Sequence, residues 1–359
     1  MKKILRICLA GSLLLCVLAQ AFAGGQEEGA GVEFAYEQKE KHAQPVRIQA
    51  QANFDNLKYV VGNVPVIAYM PPATEFNYYI AIGEGIKNLA AELGAESFML
   101  APQSGADINS QMGMIQDVIT RDVDIIILST HDEHAAAPLV KQAVDQGIEI
   151  IIVNSDIPDF PTPVHGVVGY NQRKGTRKIG EYTTKLMGGK QVIVGLIEGQ
   201  PGYHSTERIG GFVDIIQNES NFTTVASLDG KWNVEGGNVA GMDILQAHPE
   251  INLIFAANDY MIMGTEKAAN SLGQKDLILL GNDGDTAALE EIAAGTITAT
   301  VNTTPYLMGR IALQVALDGL HGKFSGGYVE TPTVIVDKSN VLEYLRKPET
   351  LYPKPSKQY

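Results

Sequence analysis

One stretch of the sequence changes its hydrophobic period at a polar pair, and this change constrains the fold. Residues 253–257 are a short apolar run without helical spacing, which predicts a buried strand. From Met261 to Leu272 apolar residues recur every three or four positions, which predicts a helix. Asn258 and Asp259 join the two elements, where an open α/β sheet binds its ligands, so we expect both to face a cleft. Capping of the helix is the alternative role, because Asn and Asp often cap helices.

The same alternation of strand and helix recurs along most of the chain. One series has apolar runs at residues 64–70, 97–101, 123–129 and 148–153, and the second has them at residues 191–196, 223–227, 253–257, 277–280 and 297–302. Continuous apolar strands between amphipathic helices are typical of parallel sheets that are covered on both faces. The sequence therefore predicts an α/β fold with two doubly wound parallel-sheet lobes.

The first 23 residues have the order of a secretory signal peptide. Lys2, Lys3 and Arg6 precede an apolar run at residues 7–18, and a small-x-small sequence follows at residues 21–23. The run is shorter than the roughly 20 residues that span a bilayer, so we expect an exported, periplasmic protein. Both cysteines, Cys8 and Cys16, lie in this segment. Lipid attachment at Cys16 would tether the protein, but it needs a small residue in place of Leu15.

The acidic charge disfavours nucleic-acid binding. The formal net charge of −14 becomes −17 when the three positive charges of the signal segment are removed (−14 − 3). Such a surface repels phosphate backbones. Residues 24–63 are polar and lack periodicity, which predicts a flexible leader, and residues 346–359 are read as a loose tail. The sequence indicates no cofactor and no metal site.

Polar and aromatic residues stand at the carboxyl ends of the predicted strands or follow them closely. Amides, carboxylates and guanidinium groups bind adjacent hydroxyls, and aromatic faces cover the apolar side of a sugar ring. The set therefore suits a neutral polyol. It comprises Tyr78, Tyr79, Asn154, Ser155, Asp156, Arg208, Trp232, Asn258 and Asp283.

Four motifs resemble those of the periplasmic sugar-binding proteins of the ribose-binding type. They are Asn-Asp-Tyr-Met at residues 258–261, Gly-Asn-Asp-Gly at 281–284, Arg-Ile-Gly-Gly-Phe at 208–212 and Ala-Thr-Val-Asn-Thr-Thr-Pro at 299–305. The resemblance spans residues 64–336. It implies a monomeric, non-enzymatic receptor with the type I periplasmic binding protein fold, which closes on a monosaccharide or polyol and delivers it to an ABC permease in the membrane.

The resemblance also implies the lobes and the binding residues. The lobes are residues 64–168 plus 304–332 and residues 169–303 plus 333–345, with a three-segment hinge near 168–170, 303–305 and 332–334. Asn154 and Ser155 stand where the ribose receptor has an Asp-Arg pair, so we expect a ligand other than ribose. The sequence leaves open whether Phe76 and Asp156 line the cleft. The implied ligand-binding residues are Tyr78, Tyr79, Asn154, Ser155, Arg208, Trp232, Asn258, Asp283 and Thr303.

Parts of the sequence also fit other functions. A ligand-sensing subunit of a chemotaxis receptor or sensor kinase would use the same closure. An exported sugar-modifying enzyme needs an activated nucleophile, and the sequence offers only His204 beside Ser205. Residues 131–134, His-Asp-Glu-His, contain metal-ligand types, but Asp132 or Glu133 also fits a helix cap at this position.

Overall fold

The computed structural model describes residues 38–39 and 52–346. The predicted signal peptide, much of the predicted leader and nearly all of the predicted tail lie outside the described residues. No helix in the described part of the chain is long and apolar enough to cross a membrane.

The first lobe has a seven-stranded sheet, with strands numbered along the chain. Its order is β1-β12-β6-β5-β4-β2-β3, and every pair is parallel except β1 with β12. The strands are β1 (Gln38–Lys39), β2 (Val66–Met70), β3 (Glu96–Met99), β4 (Ile125–Leu128), β5 (Glu149–Val153), β6 (Gly166–Gly169) and β12 (Gly327–Glu330). Its helices are α1 (Asn77–Leu93), α2 (Ile108–Ile119), α3 (Glu133–Asp145) and α9 (Pro305–Leu320), and a 3-10 turn lies at Phe54–Asn56.

The second lobe has a six-stranded sheet of the same build. Its order is β13-β11-β10-β9-β7-β8, with only β13 antiparallel to its neighbour. The strands are β7 (Val192–Glu198), β8 (Phe222–Asp229), β9 (Leu253–Ala256), β10 (Ile278–Asp283), β11 (Ala299–Asn302) and β13 (Val334–Asp337). Its helices are α4 (Gln172–Met187), α5 (Tyr203–Ile216), α6 (Val234–Ala247), α7 (Asp259–Ser271), α8 (Thr286–Ala294) and α10 (Val341–Leu345).

The predicted fold class is confirmed, and each predicted strand overlaps an observed one. Strands β6, β12 and β13 and helix α4 were not among the predicted elements. These three strands have four residues each, too few to establish a period. Helix α4 buries mainly small and hydroxyl residues, such as Gly175, Thr176 and Thr183, in place of an aliphatic stripe.

Burial on both faces explains the continuous apolar strands. Every residue of β4 and β5 is buried, and the four residues of β4 are Ile-Ile-Ile-Leu. Burying one such side chain contributes about 1.5–3 kcal/mol, so the central strands are strong determinants of each core. In the second lobe Phe212 of α5 stacks on Phe255 of β9, with ring centroids 4.5 Å apart.

The described chain passes between the two sheets three times. It leaves the first sheet after Gly169 and returns after Asn302, where α9 packs on α1, and it crosses again between β12 and β13. The lobes also touch away from these crossovers. The backbone N–H of Asn77 donates to the Tyr260 hydroxyl at 3.2 Å, and the Tyr203 hydroxyl donates to the Asp156 carbonyl oxygen at 3.1 Å. These contacts enclose a cavity between the lobes.

Candidate ligand-binding site

The cavity between the lobes draws its lining from loops and helix starts that follow the strands of both sheets. Parallel strands of one sheet end at the same edge, so residues distant in sequence converge there. The lining residues are Phe76, Tyr78, Tyr79, His131, Asn154, His204, Arg208, Trp232, Asn258, Tyr260 and Asp283.

Seven of the nine predicted ligand-binding residues line this cavity; Ser155 and Thr303 are the exceptions. Thr303 is buried beside it, with its hydroxyl oxygen 3.1 Å from that of Tyr78. The Ser155 hydroxyl accepts the N–H of Ile157 at 3.1 Å, so this side chain stabilises the turn after β5.

Arg208 and Asp283 form a buried ion pair at the cavity wall. Arg208 Nη1 donates to Asp283 Oδ1 at 3.1 Å and to the carbonyl oxygen of Ala257 at 3.0 Å. Arg208 Nε donates to Gln172 Oε1 at 3.0 Å. Among the described residues, Nη2 of Arg208 has no hydrogen-bond partner, so it remains a donor for a ligand. Burial raises the pKa of the Asp283 carboxyl, and the positive charge of Arg208 opposes that rise.

Trp232 lies across the Arg208 guanidinium and against a glycine. The guanidinium carbon is 5.4 Å from the Trp232 ring centroid, a cation–π distance. A Cβ atom at Gly199 would lie 2.0 Å from two ring carbons of Trp232, so only glycine admits the ring at this position. The aromatic face is therefore fixed by both neighbours.

Asn258 lines the cavity and also caps α7, which are the two roles that the sequence suggested. Its Oδ1 accepts the N–H of Met261 at 2.9 Å, which caps α7, and its Nδ2 donates to the carbonyl oxygen of Trp232 at 3.0 Å. The expectation for Asp259 is wrong. Its carboxylate accepts the N–H groups of Gly284 and Asp285 at 2.7 and 2.8 Å, which holds the loop after β10.

Tyr78 and Tyr79 begin α1 and are both buried. The Tyr78 hydroxyl donates to Asn154 Oδ1 at 2.7 Å. The Tyr79 hydroxyl is 3.2 Å from His131 Nε2, and His131 Nδ1 is 3.2 Å from the carbonyl oxygen of Gly105. A carbonyl only accepts, so Nδ1 carries the proton of the neutral ring and Nε2 accepts from Tyr79. Burial lowers the pKa of His131, which favours this neutral form.

Backbone strain concentrates at this cavity. Five non-glycine residues of the described chain have positive φ angles, and Asn154 (61°), Trp232 (62°) and Asp283 (132°) line the cavity. Such conformations cost about 1–3 kcal/mol each and cluster at functional sites. A fourth, Thr304 (51°), lies at a crossover between the lobes.

Four lining residues were not predicted as binding residues: Phe76, His131, His204 and Tyr260. Phe76 packs edge-to-face with Tyr260 of the other lobe, with centroids 5.8 Å apart. Tyr260 lies within the Asn-Asp-Tyr-Met motif and Phe76 lies two residues before Tyr78, and these positions are the signal that could have found them. The histidines carried no such signal. Asp132 caps α3 by accepting the N–H of Ala135 at 2.8 Å, and residues 52–346 contain no cluster of metal-ligating side chains.

Sequence comparisons relate the chain to known proteins. A family model described as a periplasmic binding protein domain matches residues 67–324. The chain is 30% identical to the ribose import binding protein of Bacillus subtilis over 247 residues, 68% of this chain and 78% of that protein. It is 29% identical to the D-ribose/D-allose-binding protein of Pseudomonas aeruginosa over 288 residues, 76% and 88% of the two chains.

Solved structures share the fold. An ABC transporter periplasmic solute-binding protein from Actinobacillus succinogenes with bound D-allose has a TM-score of 0.71 at 25% identity, covering 78% of this chain and 100% of that one. A solute-binding protein from Mycobacterium smegmatis with bound glycerol has a TM-score of 0.73 at 25% identity, covering 79% and 97%. The motif resemblance is confirmed: the chain belongs to the family of type I periplasmic sugar-binding proteins.

Proposed function

We propose that this protein is an exported receptor that closes on a neutral monosaccharide or polyol and delivers it to an ABC permease. The observation that carries the proposal is the buried Arg208–Asp283 pair beneath Trp232, in a cavity enclosed by both lobes. Charge-assisted donors and acceptors next to an aromatic face match the alternating hydroxyl and C–H surfaces of a sugar.

The lining has no unpaired charge to offer an ionic ligand. Arg208 is paired with Asp283, and burial keeps His131 and His204 neutral by lowering the pKa of each. A neutral ligand is thus favoured over a sugar acid or sugar phosphate, because a buried anion would need its own counter-charge.

The names of the relatives support transport. The Bacillus subtilis relative is an import binding protein, and the Actinobacillus succinogenes structure is that of an ABC transporter solute-binding protein. These relatives are binding proteins, which supports a receptor in preference to a sugar-modifying enzyme. Export to the periplasm fits the same family and the signal-like residues 1–23.

Closure would occur about the three crossovers near residues 168–170, 303–305 and 332–334. A ligand that touches both lobes shifts the population towards the closed form by its differential affinity for that form. Asn154 and Tyr79 lie on the first lobe and Arg208 on the second, so one sugar can contact both.

Calorimetry on the purified chain against pentoses, hexoses, deoxy-sugars and cyclic polyols tests this function. At least one compound should bind, and its saturation should reduce the radius of gyration in small-angle X-ray scattering. The single tryptophan of the sequence, Trp232, gives a fluorescence signal for the same titration. Failure of every compound to bind would contradict the proposed function, and binding without compaction would contradict closure.

A further inference from the structure

His204 stands in the cavity beside a buried amide that determines its chemistry. It occupies the first turn of α5, and its Nδ1 is 3.0 Å from Gln172 Oε1. The same oxygen accepts Arg208 Nε at 3.0 Å, and Gln172 Nε2 donates to Asp156 Oδ1 at 3.2 Å. Gln172 is fully buried at the start of α4. One amide therefore connects two lining residues to the carboxylate of the other lobe.

These neighbours determine which way the Gln172 amide points. The Nε–H of Arg208 can only donate, so the amide oxygen must face Arg208. The Asp156 carboxylate accepts, so the amide nitrogen must face Asp156. An amide oxygen cannot donate to an imidazole, and consequently the proton of the His204 ring must lie on Nδ1.

The second ring nitrogen of His204 is then a hydrogen-bond acceptor. Burial lowers the pKa of His204 to about 3, and the positive charge of Arg208 adds to this effect, so the ring is neutral at pH 7. Across residues 52–346 no side chain or backbone group hydrogen-bonds to Nε2 of His204. His131 differs, because its Nε2 accepts from the Tyr79 hydroxyl. Of the two cavity histidines, only His204 has an acceptor to offer a ligand.

We propose that His204 is a specificity-determining residue whose Nε2 accepts a hydrogen bond from one ligand hydroxyl, and that Gln172 is the positioning residue that fixes its tautomer. This inference rests on the proposed sugar-binding function. It requires the ligand to carry a free hydroxyl at the ring position that faces His204. A deoxy or O-methyl sugar at that position lacks the donor and leaves the buried nitrogen unpaired, so it should bind more weakly.

The tautomer can be measured without any ligand. In long-range proton–nitrogen NMR spectra of the ¹⁵N-histidine-labelled chain at pH 7, His204 should give the Nδ1–H pattern, with its signal assigned from a His204→Gln variant. Gln172→Ala should remove the acceptor and raise the share of the Nε2–H form. An Nε2–H pattern in the wild-type chain overturns the inference, whether or not the chain binds sugars.

Calorimetry with deoxy-sugars tests the role in specificity. For a sugar that the wild-type chain binds, His204→Ala should weaken affinity at least tenfold. One deoxy analogue of that sugar should bind the wild type more weakly than the sugar does, by a similar factor. The same analogue and the sugar should bind His204→Ala with nearly equal affinity, because both changes remove the same hydrogen bond. His134→Ala, at an exposed histidine on α3, is the matched control and should bind like the wild type.

Two results separate this inference from the proposed function. If His204→Ala binds the sugar within twofold of the wild type, His204 has no role in specificity although the receptor function stands. If the wild-type chain binds no sugar or polyol, the receptor function and the ligand role of His204 both fail. In that case the NMR measurement still decides whether Gln172 sets the tautomer.

Discussion

The Arg208 guanidinium and the Asp283 carboxylate lie 3.1 Å apart, with both side chains buried. Arg208 comes from α5 and Asp283 from the end of β10, so both belong to the second lobe. Lobe closure is not needed to form the pair. The second lobe thus presents a preorganised half of the site, and preorganisation limits the free-energy cost of ordering groups on binding.

Replacing Arg208 tests this half-site. Arg208→Lys retains a positive charge near Asp283 but loses the planar fork that reaches Asp283, Ala257 and Gln172 together. Hydrogen bonds to charged groups contribute about 1.5–3 kcal/mol each, so sugar affinity should fall at least tenfold by calorimetry. Arg208→Ala should in addition lower the free energy of unfolding by about 3–5 kcal/mol, because it leaves Asp283 buried and unpaired.

Arg121→Ala is the matched control for Arg208, because Arg121 is exposed and is not among the residues that line the cavity. It should change neither affinity nor stability appreciably. Wild-type affinity in a folded Arg208→Lys variant would exclude the guanidinium as a ligand contact.

Gly199 should control the position of Trp232. An alanine Cβ there would lie 2.0 Å from the indole ring, so Gly199→Ala must displace the ring from its place over Arg208. We expect a shifted tryptophan emission maximum and at least tenfold weaker sugar binding. Gly113→Ala is the control, since a Cβ at that exposed helix position meets nothing within 4 Å. Unchanged emission in Gly199→Ala would show that Gly199 does not control the ring, and a shifted emission with unchanged affinity would show that the indole does not stack on the ligand.

Asp156 should stabilise the contact between the lobes. Its carboxylate, in the first lobe, accepts the Gln172 N–H and Nε2–H and the Tyr203 hydroxyl of the second lobe, each at 3.2 Å. Burial raises its pKa to about 6, so it is ionised at pH 7. Asp156→Asn turns one acceptor into a donor, so one of these bonds must be lost.

The closed form of the Asp156→Asn variant should therefore be less stable by about 1–3 kcal/mol. Stopped-flow fluorescence should show faster sugar dissociation and calorimetry a weaker affinity, while Asp122→Asn, at an exposed carboxylate, should behave as the wild type. Equal rates of sugar dissociation in the two variants would show that Asp156 does not stabilise the contact between the lobes.

The sequence predicted those parts of the site that depend on local pattern. Asn258 and Asp283 stand at strand-to-helix joins, where the hydrophobic period changes, and Arg208 lies inside α5; the fold brings the three together. The roles of His204 and Asp156 could not be predicted in this way, because both roles depend on Gln172, which is distant from both residues in sequence. Hydrogen-bond partners of this kind arise only when the lobes pack against each other.

Local pattern also failed to separate neighbouring residues. Asn258 and Asp259 are adjacent and chemically alike, yet one lines the cavity and the other holds the loop after β10. Backbone conformation separates them, because Asn258 is the extended cap residue and Asp259 is the first helical residue of α7. Backbone strain at Asn154, Trp232 and Asp283 has no sequence signal, since each residue type is usually found at negative φ.

The free energy of unfolding should decrease as the pH is lowered, because of His165. This side chain is 1% exposed, and burial lowers its pKa to about 4. In the unfolded chain its pKa is about 6.5, so between these values the unfolded state binds more protons. Acidification therefore favours unfolding, and the His165 contribution should reduce the free energy of unfolding by about 2 kcal/mol between pH 6.5 and 4.5.

His165→Asn tests this by denaturant unfolding at the two pH values. The asparagine oxygen can accept the N–H of Ile150, as His165 Nδ1 does at 2.9 Å, but it does not titrate. The variant should lose less stability on acidification than the wild type. Identical losses would assign the pH dependence to other groups.

Ligand identity should depend on the turn after β5. Asn154 lines the cavity with its Oδ1 accepting from Tyr78, and Ser155 is occupied with the Ile157 N–H. The turn therefore lacks both the carboxylate acceptor and the guanidinium donor that an Asp-Arg pair would supply. We predict that some other sugar or polyol binds at least tenfold more tightly than ribose, which is about 1.4 kcal/mol.

Direct competition of ribose against hexoses, deoxy-sugars and polyols by calorimetry measures this preference. Asn154→Asp sharpens the test, because aspartate retains the acceptor for Tyr78 and tolerates the positive φ of 61°. It exchanges the amide donor of a lining residue for a carboxylate acceptor, so the preference over ribose should become smaller in this variant. If ribose binds most tightly to the wild type, other lining residues must supply the hydrogen bonds of the missing pair, and the Arg208 fork, whose Nη2 has no hydrogen bond within residues 52–346, offers a donor for them.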